Sequence, residues 1–505
     1  MEKVIRRALV SVYHKEGLAE ILKLLHEQGV EFVSTGGTST FIEGLGYPCV
    51  AVEDLTKYPS MLGGRVKTLH PAIQGGILAR RGHETDQKEV LEYGLSLIDL
   101  VIVDLYPFEA TVASGASEED IIEKIDIGGI SLIRGAAKNF EDVVIIPSQA
   151  DYATLLEILR ERGARTTLEE RRHFARRAFA VSSHYDSAIF RYFDAEDHSA
   201  LRLTADEAKP LRYGENPHQK GVFYGDLDRY FEQLHGKELS YNNLQDVEAA
   251  VSLIQDFSEP TFAILKHNNA CGCASRPTLL EAWTDALAGD PVSAFGGVLV
   301  ANRPIDVATA REIDKLFLEV LIAPDFEAEA LTILEGKKNR ILLRQKEAID
   351  ARWSYRSMLG GVLAQETDRA VETTAEMKPV TKVAPTAEEL TDLVFVTKLV
   401  KHSKSNAIVL GKGGQLIASG VGQTSRVDAL KQAIEKARHF GFDLKGAVLA
   451  SDAFFPFDDC VTLAAEAGIT AIAQPGGSVR DADSIAAADR LGIAMVMTGV
   501  RHFKH

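Results

Sequence analysis

The chain has 505 residues, of which 46% are hydrophobic and 25% are charged, and its formal net charge is -16. This length predicts two to four domains, and the composition is that of a soluble globular protein. The acidic balance excludes a general nucleic-acid surface, which needs clustered Lys and Arg, but it does not exclude local sites for small phosphorylated ligands.

The start of the chain and its cysteines indicate the cytoplasm. No basic segment followed by an apolar stretch opens the sequence, and no apolar run approaches the roughly 20 residues that span a bilayer, so we predict neither export nor a membrane partner. The cysteines Cys49, Cys271, Cys273 and Cys460 are too few and too scattered for a disulfide framework, which is typical of a reducing compartment.

The first 150 residues alternate apolar segments with amphipathic ones. Residues 17–29 predict a helix with its apolar side chains on one face, and Ser117 with Asp120 can cap a later helix. A strand-helix-strand order predicts a parallel α/β sheet. The strands are expected at residues 8–12, 30–34, 97–105 and 143–146.

A charged region and a polar region follow. Residues 155–190 predict a helix, and we interpret the charges at 169–177 as its solvated face. Residues 194–199 are polar and short of apolar anchors, so we place the main domain boundary between residues 198 and 199.

Two basic or glycine-rich segments of the first domain predict a phosphate site. Residues 35–38 (Thr-Gly-Gly-Thr) join a strand to a helix, where backbone N–H groups and the helix dipole favour an anion. Arg65 and Lys67 alternate along a segment that we expect to be extended, which would send both side chains to one side. The alternatives are a plain tight turn and an edge strand with surface charges.

The second half carries a Lys-His pair twice. Lys266-His267 follows an apolar strand and is expected to open into a polar, glycine-bearing loop at a strand end, where α/β proteins bind ligands. A second apolar segment, also interpreted as a strand, ends in Lys401-His402, which suggests an internal duplication. The alternative is a strand-end pair with no role.

The last five residues, Arg-His-Phe-Lys-His, indicate a packed tail. A C-terminal tail is normally frayed and solvated, so this composition suggests that the tail is tied to the rest of the protein.

Several motifs together resemble one enzyme family over essentially the whole chain. They are Leu-Arg-Tyr-Gly-Glu-Asn-Pro-His-Gln at 211–219, Lys-His-Asn-Asn at 266–269, Ser-Asp-Ala-Phe-Phe-Pro-Phe at 451–457, Gln-Pro-Gly-Gly-Ser at 474–478 and the tail. The family joins an aminoimidazole carboxamide ribonucleotide (AICAR) transformylase to an inosine monophosphate (IMP) cyclohydrolase.

The resemblance implies a fold and two reactions. Residues 1–198 would form a parallel-sheet domain similar to methylglyoxal synthase, and residues 199–505 would form two related, cytidine-deaminase-like α/β subdomains, at about 199–365 and 366–505. Formyl would pass from 10-formyltetrahydrofolate to AICAR, and the product, FAICAR, would close to IMP with loss of water.

The resemblance also assigns residues. The catalytic set is Lys67, Asp126 and Lys138 for ring closure and Lys266, His267 and Asn406 for formyl transfer, with Lys138 as a proton-transfer residue. The nucleotide contacts fall on Lys15, Thr35, Gly36, Gly37, Thr38, Arg65, Thr68, Tyr106, Gly128, Arg212, Tyr213, Gly296, Glu319, Arg426, Phe454 and Arg501. The folate contacts fall on Val427, Ser478 and Val479.

The chemistry of these residue types fits the reactions. His267 can act as a base on the weakly nucleophilic amine, while Lys266 stabilises the developing negative charge. In ring closure, Lys67 and backbone amides near Gly128 can stabilise an oxyanion, and the proton carrier, Asp126 or Lys138, stays open.

Cofactors and partners follow from the resemblance. No redox cofactor is expected, a monovalent cation is allowed, and a homodimer with transformylase sites at the subunit interface is implied. Cys271, Cys273 and His267 invite a zinc site, but neither a second Cys-x-x-Cys nor a His-x-Glu signature accompanies them. No phosphate-binding Gly-x-x-x-x-Gly-Lys-Ser/Thr sequence indicates ATP.

Three positions depart from the family pattern. Asp104 stands where the family has Asn, Tyr13-His14 stands where it has Ser-Asp, and Ala270 replaces a proline. Two rival functions therefore stay open for the first domain: a non-catalytic nucleotide-binding regulator, and a phosphate-eliminating lyase like methylglyoxal synthase.

Overall fold

In a computed structural model, which describes residues 2–195, 197–205 and 207–505, the chain divides into two units, Met1–Asp206 and Glu207–His505. The predicted boundary at 198/199 and the subdivision near 365/366 stay predictions.

The first unit is built on a parallel sheet. Its strands are β1 (Lys3–Val4), β2 (Arg7–Ser11), β3 (Glu31–Ser34), β4 (Cys49–Ala51), β5 (Leu100–Val103), β6 (Val144–Ile146) and β7 (Arg165–Thr166). Its helices are α1 (Leu18–Glu27), α2 (Gly36–Gly44), α3 (Val52–Thr56), α4 (Pro71–Leu78), α5 (Glu84–Glu92), α6 (Phe108–Ala113), α7 (Glu118–Glu123), α8 (Gly128–Lys138), α9 (Tyr152–Arg162) and α10 (Leu168–Phe193). Strands β4, β3, β2, β5 and β6 pair in that order, all parallel, which confirms the predicted parallel α/β sheet.

Local signals explain most of these elements. Helix α1 buries Leu18, Ile21, Leu22 and Leu25 on one face, as their spacing predicts. Helix α7 begins where Ser117 Oγ accepts a hydrogen bond from the backbone N–H of Asp120 at 3.2 Å. Burial of both faces explains why β5 is apolar at every position.

The long charged helix was predicted only in part. Helix α9 ends at Gly163, which has a φ of 62°, and α10 begins again with Thr167 as its cap. The interpretation of the charges as a solvated face is wrong at Arg171, which is only 1% exposed and donates to the carbonyl oxygens of Phe140 and Thr166. These bonds satisfy the buried guanidinium.

The second unit is larger. Its strands are β8 (Ala208–Leu211), β9 (Gly221–Tyr224), β10 (Phe231–His235), β11 (Thr261–Lys266), β12 (Asn269–Ser275), β13 (Val298–Ala301), β14 (Val320–Ala323), β15 (Ile341–Gln345), β16 (Trp353–Met358), β17 (Gly361–Glu366), β18 (Lys378–Pro379), β19 (Ile408–Lys412), β20 (Gln415–Gly420), β21 (Val448–Ser451), β22 (Ala471–Gln474) and β23 (Ala494–Met497). Its helices are α11 (Tyr241–Ile254), α12 (Leu279–Gly289), α13 (Pro291–Ala294), α14 (Val307–Ile313), α15 (Ala328–Glu335), α16 (Ala387–Lys401), α17 (Arg426–His439), α18 (Asp459–Ala467) and α19 (Asp481–Leu491).

One twelve-stranded sheet organises this unit, and its order is internally repeated. The strands run β10-β15-β14-β13-β11-β12, then β20-β19-β21-β22-β23-β18. Each half has an edge strand, a helix (α11 or α16), an antiparallel hairpin (β11-β12 or β19-β20), and three mutually parallel strands separated by helices. The halves join where Ala274 of β12 pairs with Gln415 of β20.

The duplication is present in the topology, but the predicted echo is wrong. Lys401-His402 ends helix α16, not a strand, so it cannot correspond to Lys266-His267 at the end of β11. The topological equivalent of Lys266 is Lys412, the last residue of β19. A short apolar run does not distinguish a buried helix from a strand. The likeness of the repeats to cytidine deaminases stays a prediction.

Candidate active sites

The first site lies at the carboxyl edge of the parallel sheet in the first unit. Strands β2, β3 and β5 end there, and α2 follows β3 directly. Helix α8 also begins there, since the Asp126 carboxylate just before it lies close to the backbone of Tyr106, which is three residues beyond the end of β5. Two helix N-termini at one edge favour a bound anion.

The glycine turn after β3 leaves room for a ligand. Gly36 has a φ of 55°, and among the described residues no atom lies within 4 Å of the position that a Cβ on Gly37 would take. Thr35 precedes α2, and the buried Thr38 hydroxyl is used inside the protein: it donates to Val12 O at 3.0 Å and accepts from Val12 N at 3.2 Å. The glycines therefore offer backbone donors, while Thr38 fixes the turn to β2.

The segment with Arg65 and Lys67 is a turn, so the expected extended backbone is wrong. Gly63 and Gly64 just before it have φ values of 65° and 90° and reverse the chain. Arg65 points to Glu123 and forms an ion pair with it. Lys67 Nζ instead lies 3.5 Å from the position that a Cβ on Gly36 would take. Of the two basic residues, only Lys67 therefore reaches the glycine turn.

Thr68 and Asp126 meet the start of α8. Thr68 Oγ1 lies 2.9 Å from the Cβ position of Gly128, so a larger residue does not fit there. Asp126 Oδ1 accepts from the N–H of Gly129 at 2.6 Å. Burial raises the pKa of Asp126, the Asp104 carboxylate raises it further, and the N–H of Gly129 opposes the change. A carboxyl group that holds a proton more readily suits proton transfer.

Asp104 contacts Tyr13 and His14, which also depart from the family pattern. Its carboxylate accepts the N–H of Tyr13 and, at 3.0 Å, that of His14, and it lies 2.8 Å from His14 Nδ1. Lys15 follows and donates to Tyr13 O at 3.1 Å; burial lowers the pKa of Lys15, and Asp104 opposes this. The residues at 13, 14 and 104 thus form one hydrogen-bonded unit beside the site.

Tyr106 belongs to an aromatic corner that the sequence did not reveal. Its ring meets that of Tyr13 edge to face with centroids 5.6 Å apart, and Lys124 Nζ lies 5.6 Å from both centroids. Burial, with a smaller contribution from Asp126, raises the pKa of Tyr106. No motif contains Lys124, so only the fold identifies it.

Lys138 lies away from this cluster within one chain, contrary to the predicted common site. It is the last residue of α8, about 15 Å along the helix from Gly128 at ~1.5 Å per residue. The next residue, Asn139, donates to Ile77 O and Ala79 O at the far end of α4. Lys138 therefore sits at the opposite edge of the sheet, farther than a lysine side chain spans.

The second site lies along one edge of the twelve-stranded sheet and uses both repeats. The predicted residues lie at or beside strand ends there: Lys266 ends β11, His267 opens the β11-β12 turn, Gly296 precedes β13, Glu319 precedes β14, Asn406 precedes β19, and Phe454 follows β21. Since β11 and β21 end where β13 and β19 begin, these residues share one edge.

His267 lies in a two-residue hairpin turn, not in the glycine-bearing loop that was expected. His267 and Asn268 have φ values of 53° and 66°, which cost a non-glycine residue roughly 1–2 kcal/mol each. Asp246 Oδ1 accepts from the backbone N–H of Asn268 at 2.6 Å. The His267 side chain is exposed at the tip. Backbone strain of this kind concentrates at functional sites.

Lys266 is held beside Gly296. Its Nζ donates to Phe295 O at 2.8 Å, and Gly296, with a φ of 71°, donates to Phe317 O at 2.8 Å. The neighbouring carboxylate of Glu319 pairs with Lys237 Nζ at 2.6 Å. The ammonium of Lys266 is thus fixed at the strand end by a neutral carbonyl.

Arg212 and Tyr213 are preordered as a pair. The Arg212 guanidinium lies 4.7 Å from the Tyr213 ring centroid and donates to the Tyr213 hydroxyl at 2.8 Å. Their loop reaches the first turn of α11, where Asn242 Nδ2 donates to Glu215 O at 3.2 Å. Asp246, one turn further on the same helix, holds the His267 turn, so α11 brings the two segments together.

Asn406 lies where the two repeats touch. Its N–H and its side-chain amide both donate to Gln423 O, at 3.2 and 3.0 Å. Just before it, the N–H of Lys404 donates to Asn269 Oδ1 at 3.0 Å, which connects the first hairpin to the second repeat.

The tail is packed, as its composition predicted. Ser405 and Lys504 exchange two hydrogen bonds, Ser405 N to Lys504 O at 2.8 Å and Lys504 N to Ser405 Oγ at 3.0 Å. The N–H of His502 donates to Asp452 O at 3.0 Å. These bonds place the last residues against the segment that carries Asn406.

His502 anchors the tail through its ring. It is 3% exposed, with Nδ1 2.6 Å from Asp368 Oδ2 and Nε2 2.9 Å from Glu372 Oε1. Burial disfavours the imidazolium, but the two carboxylates outweigh burial and raise the pKa of His502 to about 9. The ring is therefore charged at neutral pH.

Arg426, the first residue of α17, is mostly buried and paired, not solvated as a loop arginine would be. Its Nε donates to Ser451 Oγ at 3.1 Å, and its terminal nitrogen lies 3.0 Å from Asp452 Oδ1. The guanidinium carbon of Arg426 lies 5.7 Å from the centroid of the Phe503 ring, and that of Arg501 lies 4.4 Å from it. Asp452 and Phe503 were not predicted as site residues, although both lie inside the motifs that the sequence singles out.

Two of the three expected folate positions, Ser478 and Val479, lie near the end of β22. Ser478 Oγ accepts from the N–H of Arg480 at 3.1 Å, and Val479 is fully exposed. The loop that follows Gln474 adjoins the loop that carries Phe454. The N–H of Phe455, the residue after Phe454, donates to Gln474 Oε1 at 3.2 Å. Val427, the second residue of α17, packs partly against the core.

The cysteines of the rejected zinc site are buried in β12. Burial raises the pKa of Cys271 to about 12, and it raises that of Cys273 as well. Such thiols stay protonated and are poor metal ligands. Within the described ranges, no cluster of three or more His, Cys, Asp or Glu residues is positioned to hold a metal, and no helix is long and apolar enough to cross a membrane.

Comparisons with known proteins match both halves of the chain. Residues 17–131 match the model of the MGS-like domain, and residues 136–436 match the model of the AICARFT/IMPCHase bienzyme. A relative from Bacteroides thetaiotaomicron, "Bifunctional purine biosynthesis protein PurH", is 67% identical over 100% of this chain and 99% of its own. Relatives of the same description from Chloroflexus aurantiacus and Chlorobium luteolum are 48% and 46% identical, each over 100% of this chain and at least 99% of their own. A crystal structure of ForH covers 37% of this chain and 99% of its own, with 34% identity and a TM-score of 0.33.

Proposed function

The chain belongs to the family of bifunctional AICARFT/IMPCHase purine biosynthesis enzymes, and we propose that its two sheet edges each carry one of the two reactions. The protein is an AICAR formyltransferase and IMP cyclohydrolase, with an MGS-like N-terminal domain, and formyl transfer uses a folate co-substrate. The residues that serve each reaction are proposed from the geometry of the two sites, and 10-formyltetrahydrofolate is proposed as the formyl donor.

Formyl transfer is assigned to the edge with Lys266 and His267. The AICAR amine attacks the formyl carbon, His267 takes the proton of that amine, and the Lys266 ammonium stabilises the oxyanion. When the intermediate collapses, the bond from the formyl carbon to folate N10 breaks and N10 takes a proton. Asn406, Gly296, Glu319, Phe454 and the Arg212–Tyr213 pair would position the nucleotide, while Val427, Ser478 and Val479 would contact folate.

A positive pair supports phosphate binding at this edge. Arg426 and Arg501 flank the Phe503 ring, and Arg426 is preorganised by Ser451 and Asp452. A guanidinium already held by hydrogen bonds loses little entropy when it binds a phosphate. The observation that carries the assignment is that the His267 turn, Asn406 and the packed tail share this one edge.

Ring closure is assigned to the carboxyl edge of the parallel sheet. The carboxamide nitrogen of FAICAR attacks the formamido carbon, a C–N bond forms, and water leaves after proton transfer. Lys67 and the N–H groups at the start of α8 would stabilise the oxyanion, and Asp126, with its raised pKa, would exchange the protons. Lys15, Thr35, Gly36, Gly37, Thr38, Arg65, Thr68, Tyr106 and Gly128 would hold the nucleotide.

We also propose a cytoplasmic homodimer. The ribbon β16-β17 pairs only with itself among the described strands and exposes Tyr355, Leu359 and Leu363, and an isolated two-stranded ribbon is marginally stable alone. A second copy would also let Lys138 reach a ring-closure site, which its own chain does not permit. The cysteines are free, in keeping with a reducing compartment.

One incubation tests the proposal. Purified protein receives AICAR and 10-formyltetrahydrofolate, and tetrahydrofolate and IMP are followed separately, with and without potassium to test the monovalent cation. We expect both products to rise together. Tetrahydrofolate without IMP would mean a regulatory first unit, and the formation of neither would contradict the transformylase assignment. Dihydroxyacetone phosphate, offered separately, tests the lyase alternative.

A further inference from the structure

The two hairpin turns of the repeated sheet are built in the same way. In the first, Lys266 ends β11, and His267 and Asn268 have φ values of 53° and 66°. In the second, Lys412 ends β19, and Gly413 and Gly414 have φ values of 58° and 67°. The backbone is thus the same left-handed pair, which glycine adopts without strain and His and Asn adopt only at a cost.

The lysines keep equivalent contacts. Lys266 Nζ donates to Phe295 O at 2.8 Å, and Lys412 Nζ donates to Lys445 O at 2.7 Å. The residue after each carbonyl is a glycine of positive φ, Gly296 or Gly446. The N–H of Gly296 donates to Phe317 O, three residues before β14 begins, and the N–H of Gly446 donates to Gly468 O, three residues before β22 begins. The equivalence therefore extends beyond the turns. The second turn serves as an internal comparison, because it has the same backbone and the same lysine contact but no histidine.

An aspartate on the preceding helix holds each turn. Asp246, the sixth residue of α11, accepts from the N–H of Asn268 at 2.6 Å. Asp392, the sixth residue of α16, accepts from the N–H groups of Gly413 and Gly414, both at 2.7 Å. With its amide turned to donate, the Asn268 side chain also reaches Asp246 Oδ1 at 3.3 Å.

We propose that Asp246 is a positioning residue for formyl transfer: its carboxylate holds Asn268, and through it fixes the strained backbone that presents His267. The inference rests on the proposed function, in which His267 is the base. Asp392 makes equivalent bonds to a glycine turn that carries no imidazole. Its carboxylate should therefore contribute to the stability of the fold and not to catalysis. A displacement of about 1 Å in a reacting group can cost on the order of a hundredfold in rate.

The test compares four variants for tetrahydrofolate formation, with FAICAR cyclisation and thermal unfolding measured on each. We expect Asp246→Ala to lower kcat of formyl transfer by about tenfold or more, with KM for AICAR changed far less. Asp246→Asn keeps an acceptor oxygen and should recover most of that loss. Asp392→Ala should lower thermal stability at least as much as Asp246→Ala but leave kcat within about twofold.

His267→Gly separates failure of this inference from failure of the proposed function. Glycine suits the turn, so this variant should fold at least as stably as the parent and lose formyl transfer. An active His267→Gly would remove the base and the proposed function with it. If His267→Gly is inactive but Asp246→Ala keeps its kcat, or if Asp392→Ala loses kcat equally, only the positioning role of Asp246 is overturned.

Discussion

The two sites are built by different rules. In the first unit, the glycine turn and Asp126 lie at the edge where neighbouring parallel strands end, and the turn after Gly63 and Gly64 brings Lys67 to the same edge. In the second unit, the site needs a hairpin of one repeat, two strand ends of the other and the tail. The first arrangement depends on local backbone, and the second depends on docking between distant segments.

Removal of the tail should show this difference most strongly. Deleting residues 501–505 removes Arg501, Phe503 and the His502 anchor, so we expect formyl transfer to fall by more than about a thousandfold. FAICAR cyclisation should stay within about twofold. Separate assays of the two half-reactions on the truncated protein measure this, and a fully active truncation would contradict the docking argument.

Lys67→Ala should have the opposite selectivity. Loss of the ammonium beside Gly36 should slow FAICAR cyclisation by about a hundredfold, and formyl transfer should be unaffected. Steady-state rates with FAICAR and with AICAR give the comparison. Equal losses in both reactions would mean that the two sites are not independent.

Mixing two variants tests whether the first site is local to one chain. Lys138→Ala and Lys67→Ala proteins, each slow in cyclisation, are co-expressed with different tags, and the mixed dimer is purified. If Lys138 acts across the dimer, one intact site forms, and the mixed dimer should regain about half of the parent rate. No recovery would restrict Lys138 to its own chain, where it lies about 15 Å from Gly128.

The His502 anchor predicts a pH dependence for the second site. The pKa of His502 is raised to about 9 from 6.5, so its contribution to stability is complete below pH 6.5 and is lost as the pH rises through 9. We expect thermal stability and formyl transfer to fall between pH 7 and 9.5, with cyclisation less affected. His502→Gln should remove this pH-dependent loss of stability, which is measured by thermal unfolding at pH 7 and at pH 9.5. An unchanged loss would exclude His502 as the titrating group.

Asp104→Asn should produce the smallest effect. Asparagine keeps one acceptor oxygen for the N–H groups of Tyr13 and His14 but loses the charge beside the imidazole, worth about 1 kcal/mol. We expect cyclisation to change by less than about tenfold. A larger loss in kcat for FAICAR would mean that Asp104 contacts the ligand directly.

The sequence predicted elements where local signals agreed, and failed where they did not. The spacing of Leu18 and Leu25 and the cap at Ser117 were sufficient for their helices. The alternation of Arg65 and Lys67 indicated a strand, but the positive φ of Gly63 and Gly64 overrides so short a pattern. Helix breaks at glycine and buried arginines such as Arg171 depend on tertiary partners.

The sites were predicted in composition more than in geometry. The family resemblance supplied Lys266, Arg426 and the tail. Asp246 lies in no motif, and Asp452 has no assigned role within its motif, until the fold places them beside a turn and a guanidinium. The correspondence of Lys266 with Lys412 was hidden because their flanking residues differ. Strand order, not sequence identity, reveals it.

The repeated sheet also records what happens to a duplicated catalytic scaffold. A duplication supplies two copies of every active-site feature, and selection needs to preserve only one. At the second turn, Lys412 and Asp392 persist while Gly413 and Gly414 occupy the positions of the histidine and asparagine. The same left-handed backbone pair therefore occurs twice in this sheet, once with His and Asn under strain and once with two glycines that adopt it freely.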